Sequence, residues 1–204
     1  MTAAAERKRA VSDLKRGLIL EAAERVFEAE GLEGASLRAI AREAGYTPAA
    51  LYFHFESKEA LYGAVLAQSL ATLNEAVAQA VAAAETPAAR LRAAAVTWFD
   101  YYAERPRDLA MGFYLFRGGL KPHGLGPALD RSLNAELERS LSPIAAAAQA
   151  LGASPEAARL LMLDCFAHAS GLLVLQHTRR LGMKPATARS LFLARLGEIL
   201  QRLP

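Results

Sequence analysis

A single cysteine, Cys165, and a single tryptophan, Trp98, are all that this chain of 204 residues holds of either type. A lone thiol excludes an internal disulfide framework and a Cys-rich zinc module. Fourteen glycines and nine prolines are too few for a collagen-like or low-complexity chain. β-Branched residues are sparse and no run alternates with a period of two, so strand signals are nearly absent. No apolar stretch follows the first Met, which predicts that there is no secretory signal. The most apolar run, Leu160 to Leu175, is 16 residues long and carries Asp164 and His168. That is the pattern of a buried helix in a soluble, cytoplasmic protein rather than of a membrane span.

What is present is apolar and helical. Hydrophobic residues make up 53% of the chain and charged residues 22%, enough for a sizeable core and too apolar for disorder. The net charge is +3, and the first 16 residues alone hold five bases (Arg7, Lys8, Arg9, Lys15, Arg16) against two acids (Glu6, Asp13). Such a basic arm suits contact with a polyanion, and a merely solvated tail fits it equally.

Periodicity predicts about nine helices. Leu18, Ile19, Ala22, Ala23, Val26 and Phe27 form an apolar stripe on a first helix over residues 14–30, and Gly31 ends it. Ser36 is placed to cap a short second helix, which Gly45 stops. Thr47 followed by Pro48 starts a very short third helix ending near Phe55, since the hydroxyl caps and proline fits the first helical position. Ser57 caps a fourth helix from Lys58 to about Glu85. Thr86-Pro87, Arg105-Pro106, Ser154-Pro155 and Lys184-Pro185 open further helices, and residues 118–127, six of ten being Gly or Pro, form a loop.

Residues 36–55 then read as two short helices around the tight Ala44-Gly45-Tyr46 turn. The set Leu37, Ile40, Ala41, Leu51 and Phe55 can lock them against the first helix, which turns Ala49, Tyr52 and Phe53 to the opposite face. Small Ala49 and Ala50 would let that face enter a groove. Thr47, Tyr52, His54 and Lys58 can reach phosphates from its rim.

The run Ile19-Leu20-x-Ala22-Ala23, Phe27, Gly31, Ser36, Ile40-Ala41, Ala44-Gly45, Leu51-Tyr52-x-His54-Phe55-x-Ser57-Lys58-x-x-Leu61 resembles the amino-terminal domain of TetR-family transcriptional regulators. The resemblance covers residues 14–62, and the extended spacing makes it specific. It implies a double-stranded DNA partner with a palindromic operator. The third helix would lie in the major groove, Arg38 would read a guanine or phosphate, and Thr47, Tyr52, His54 and Lys58 would hold the backbone. Tyr46 departs from the small aliphatic residue usual in the turn. Pro48-Ala49-Ala50 offers no side chain able to hydrogen-bond a base, so readout there would be apolar, with Ala49 or Phe53 against thymine methyls. The DNA-binding residues expected are therefore Arg38, Thr47, Pro48, Ala49, Tyr52, Phe53, His54 and Lys58.

Beyond residue 60 the reading is of a second helical domain. Trp98, Tyr101 and Tyr102 share a helix face, and Phe113, Tyr114 and Phe116 crowd the next helix. An ordinary aromatic core fits this pattern, and so does an apolar cavity whose polar handles are tyrosine hydroxyls, His123 or His168. The resemblance implies the cavity, with Trp98, Tyr101, Tyr102, Phe113, Tyr114 and His168 around a small apolar or aromatic effector. The last two helices carry leucines on more than one face, which predicts burial against a second copy, and the resemblance implies the same homodimer. Asp164, Cys165 and His168 share a helix at ligand-like spacing, but too few ligands accompany them for zinc, and no metal or cofactor is expected. The expectation is thus an all-α regulator, not an enzyme: residues 1–60 are a three-helix helix-turn-helix DNA-binding domain, and residues 61–204 bind effector and dimerise. The alternatives are a helical enzyme using Asp164 and His168, or a DNA-binding protein without an effector.

Overall fold

The computed structural model describes residues 3–112 and 125–203. Among these, nine α-helices and one short 3-10 turn occur, with no strand: α1 Ala3–Gly34, α2 Leu37–Glu43, α3 Pro48–His54, α4 Lys58–Ala82, α5 Pro87–Glu104, α6 Pro106–Gly112, α7 Pro127–Ala150, α8 Pro155–His177, the turn Arg180–Gly182, and α9 Pro185–Gln201. The chain divides into two compact units, one drawn from Met1–Ser69 with Ala110–Leu133, the other from Leu70–Leu109 with Asn134–Pro204.

Helix starts follow from hydroxyl caps. Ser36, Thr47, Ser57, Thr86 and Ser154 each accept the N–H three residues on, at 3.0 to 3.3 Å. Each bond satisfies one donor that a helix end would otherwise leave unpaired. Proline at the first position of α3, α5, α8 and α9 supplies a backbone already set for the helix. In α1 the chain leaves helical geometry at Gly31 (φ 71°), the left-handed break that the sequence predicts there.

Two boundaries move. α1 begins at Ala3, not near residue 14, because Ala3 to Ala10 are strong helix formers even without an apolar stripe, and Arg9 and Asp13 pair at 3.9 Å one turn apart. α4 stops at Ala82, and Arg90 Nε donates to the Ala84 carbonyl just beyond it (3.0 Å).

In the first unit, Ile19, Ala22, Ala23, Val26 and Phe27 of α1 are buried with Ile40, Ala41, Leu51, Phe55, Leu61 and Tyr62. Phe27 meets Tyr62 edge to face with centroids 4.8 Å apart. Leu18 departs from the expected stripe and is 43% exposed, since one residue step turns a helix by 100°. Leu37 is only half-buried, and Ala39 takes its place inside. In the second unit, Trp98, Phe99, Phe192, Leu173 and Leu196 anchor the core, Phe99 stacking on Phe192 at 4.6 Å.

Candidate nucleic-acid interface

α3 is held by its two ends. Leu51 is fully buried and Phe55, which closes the helix, is nearly so. On α1, the Arg16 guanidinium lies 4.3 Å from the Phe55 ring centroid and donates from Nη1 to the His54 carbonyl (3.4 Å). At the other end Thr47 caps Ala50 N–H, and the turn before it closes through Tyr46 N–H to the Ala41 carbonyl (2.8 Å) with Gly45 at φ 72°. A non-glycine residue is strained at that φ. α2 is tied to α1 by Arg25 Nε on Glu43 Oε1 (2.8 Å).

With Leu51 and Phe55 inside, the opposite face must point out. Tyr52 is 58% exposed and Phe53 84%, and Pro48 and Ala49 are exposed beside them. Phe53 and His54 meet edge to face at 5.4 Å. His54 is half-buried, as is Lys58 at the first turn of α4. Arg38 is exposed on α2, and no hydrogen bond or ion pair of it occurs among the described residues. The expected contact residues are therefore brought onto the two short helices and the start of α4. Arg16 was legible only as part of the basic arm, and its role as a clamp on the end of α3 depends on a contact 38 residues away.

The second-domain aromatics are packed. Trp98, Tyr101 and Tyr102 are all buried. Trp98 lies 4.7 Å from Tyr102 and 5.4 Å from Phe166 of α8. The Tyr101 hydroxyl meets Asp108 Oδ2 (3.2 Å) while Arg105 covers its ring. Burial, then the neighbouring Tyr101 and Asp108, push the Tyr102 phenol well above its ordinary range, so it stays neutral. His168 is half-buried, its ring 6.3 Å from Phe192. Phe113, Tyr114, Phe116 and His123, with the loop expected over residues 118–127 up to residue 124, lie outside the described residues. A groove of about 530 Å³ does exist in the second unit, lined by Val81, Pro87, Arg90, Pro143 and Ala146 among others, and none of the described effector candidates (Trp98, Tyr101, Tyr102, His168) lines it.

Asp164, Cys165 and His168 are not brought together. Asp164 accepts from Arg195 Nη2 at 2.8 Å, Cys165 is buried, and His168 turns toward α9. Burial, and next the charge of Asp164, push the Cys165 thiol up to about 12. Among the described residues, no three His, Cys, Asp or Glu side chains form a metal-holding group.

Two short helices packed on a long first one, with a buried seam, a glycine turn and an outward third helix, define a helix-turn-helix protein, the class of motif that places its second helix against a DNA groove. Residues 19–65 match the family model described as bacterial regulatory proteins, tetR family. The HTH-type transcriptional repressor NicS of Pseudomonas putida is 32% identical over 142 residues, 69% of this chain and 66% of its own length. The HTH-type transcriptional activator FasR of Mycolicibacterium smegmatis is 40% identical over 89 residues, 44% of this chain and 41% of its own. These matches span between two fifths and two thirds of the relatives' lengths. The fold resembles a crystal structure of the transcriptional regulator FadR from Bacillus subtilis in complex with stearoyl-CoA, at TM-score 0.72, 15% identity, and 88% and 96% coverage of the two chains. The chain belongs to the TetR family of helix-turn-helix regulators.

Proposed function

We propose that this protein is a cytoplasmic, homodimeric transcriptional repressor that binds a palindromic operator and is released from it by a small apolar effector. Residues 1–60 bind DNA and residues 61–204 bind effector and dimerise. The observation that carries the reading is the outward face of α3, where Tyr52 and Phe53 stand in solvent beside Ala49 although a lone fold would gain by burying them. Around them Arg38, Thr47, His54 and Lys58 supply donors for phosphates and base edges. Dimerisation is supported by a second apolar face on the last two helices. Leu160 is 60% exposed, and Leu163, Val174 and Leu191 are also exposed.

A gel shift on an operator recovered from genomic fragments tests this. Arg38→Ala should weaken operator binding by about 1–3 kcal/mol and relax selectivity at one base position. Lys58→Ala should weaken all sequences alike and flatten the salt dependence by about one unit. Wild-type binding by both variants would remove this face from the interface. Light scattering should give a dimer, and footprinting on the operator should place its half-sites about 34–36 Å, or a multiple, apart. A stable monomer at micromolar concentration would overturn the two-fold arrangement.

A further inference from the structure

Among the described residues, four buried side-chain atoms have no hydrogen-bond partner: Trp98 Nε1, His168 Nε2, Ser170 Oγ and Gln176 Oε1. Native interiors keep few such atoms, and each calls for an explanation. All four belong to the second unit, and three of them to α8. Trp98 touches Phe166, His177 Nε2 donates to the Tyr102 carbonyl (2.9 Å), and Gln176 Nε2 donates to the Ala103 carbonyl (3.4 Å). Residues 98–103 of α5 therefore run alongside residues 166–177 of α8. Ser170 follows Phe166 by four residues and precedes His177 by seven, so the three share one stripe of α8 and the Ser170 hydroxyl falls on the Trp98 seam. His168 stands apart against Phe192, and Gln176 lies at the far end.

Among the described residues, three cations on the elements flanking this seam are already engaged. Arg189 holds Asp100 in a two-pronged bond (2.8 and 3.0 Å), Arg195 holds Asp164 and Glu198, and Arg105 covers Tyr101. An indole N–H can only donate, so what completes it must be an acceptor. An acceptor with two lone pairs can take the Ser170 hydroxyl as well. A carboxylate would instead bring a buried charge that none of these three is free to pair, the costlier arrangement.

The geometry points to Trp98 Nε1 and Ser170 Oγ as the pair that reads the effector, and to an effector that is uncharged: an apolar body bearing a carbonyl oxygen of the ketone or ester kind. This rests on the effector reading above. Calorimetry on the full chain with three ligands of one shape tests it: 2-acetylnaphthalene, 2-ethylnaphthalene and 2-naphthoate. The ketone should bind about 30-fold tighter than the hydrocarbon or the carboxylate, the gain of one hydrogen bond to each of two desolvated donors. Ser170→Ala and Trp98→Phe should each cut that advantage to about fivefold, and together they should erase it. Trp98→Phe also trims the ring, so unchanged binding of 2-ethylnaphthalene is its control, and Ser170→Ala should melt no lower than wild type without ligand. A ketone advantage that survives both substitutions, or tightest binding by the carboxylate, overturns the assignment and leaves the effector reading standing. Failure of all three to bind overturns the assignment, and tight ketone binding that leaves the DNA complex unchanged overturns the effector reading.

Discussion

Adjacent aromatic residues sit on α3 and on α5, and they are put to opposite use. On α3, Tyr52 and Phe53 project into solvent; on α5, Trp98, Phe99, Tyr101 and Tyr102 are buried. The difference lies in what else each helix carries. α3 is only seven residues long, and its buried side is taken by Leu51 with Phe55 just past its end, four residues apart and on one face. Nothing is left to cover the other side. α5 is 18 residues long and is flanked by α8 and α9, so four of its aromatics find neighbours in turn, Trp98 with Phe166 and Phe99 with Phe192. An aromatic facing water forgoes about 1.5–3 kcal/mol of burial, and an aromatic facing in contributes it. On α3 the aromatics add nothing to the core, whereas on α5 they build it.

Truncating one aromatic from each region breaks or sharpens that contrast. Phe99→Ala should cost about 3–5 kcal/mol in chemical denaturation, because the ring is fully buried against Phe192. Phe53→Ala should leave stability within about 0.5 kcal/mol while weakening operator binding. A large stability loss for Phe53→Ala would mean that the ring is packed in solution. Thr47→Ala removes the cap of the outward helix and should cost about 1 kcal/mol, read as a lower melting temperature. Arg25→Ala should cost well under 1 kcal/mol, since its pair with Glu43 is exposed on both sides.

The buried region also carries a pH dependence. Cys165 and Tyr102 both have acid dissociation pushed up by burial, so the folded chain holds those protons more tightly than the unfolded chain. Their contribution is complete below the unfolded thiol range near pH 8.5 and is lost as pH rises from about 9 toward 12. Stability measured by denaturant should fall across that alkaline window. Native Cys165 should resist a thiol reagent at pH 8 and react once the chain unfolds.

Much of this was legible in the sequence because the signals were local. Ser36, Thr47, Ser57, Thr86 and Ser154 announce helix starts through bonds spanning three residues, and Gly31 and Gly45 announce breaks through backbone geometry. The outward face of α3 followed from placing Leu51 and Phe55 inside. What the sequence hid depends on tertiary approach. Arg16 reads as one base in an arm until it is seen over Phe55, and Asp100 meets Arg189 across 89 residues. The helix before residue 14 was hidden for another reason: Ala5 to Val11 are all exposed, so propensity rather than periodicity carries them. Leu18 and Leu37 show the limit of stripe counting, since the edge of an apolar face shifts by one residue without changing the pattern.

Gly45 turns the chain between α2 and α3 at φ 72°, and a Cβ built there would meet nothing within 4 Å. The constraint is thus one of handedness and not of room. An L side chain is strained in that backbone, whereas its mirror image fits it without penalty. A semisynthetic chain with D-alanine at position 45 should keep the turn, and by narrowing the unfolded chain's choices it should gain about 0.4–1 kcal/mol. L-Alanine at the same atom count should lose stability. One stereocentre thus separates a stiffer reading head from a loosened one, with every contact to DNA left chemically unchanged.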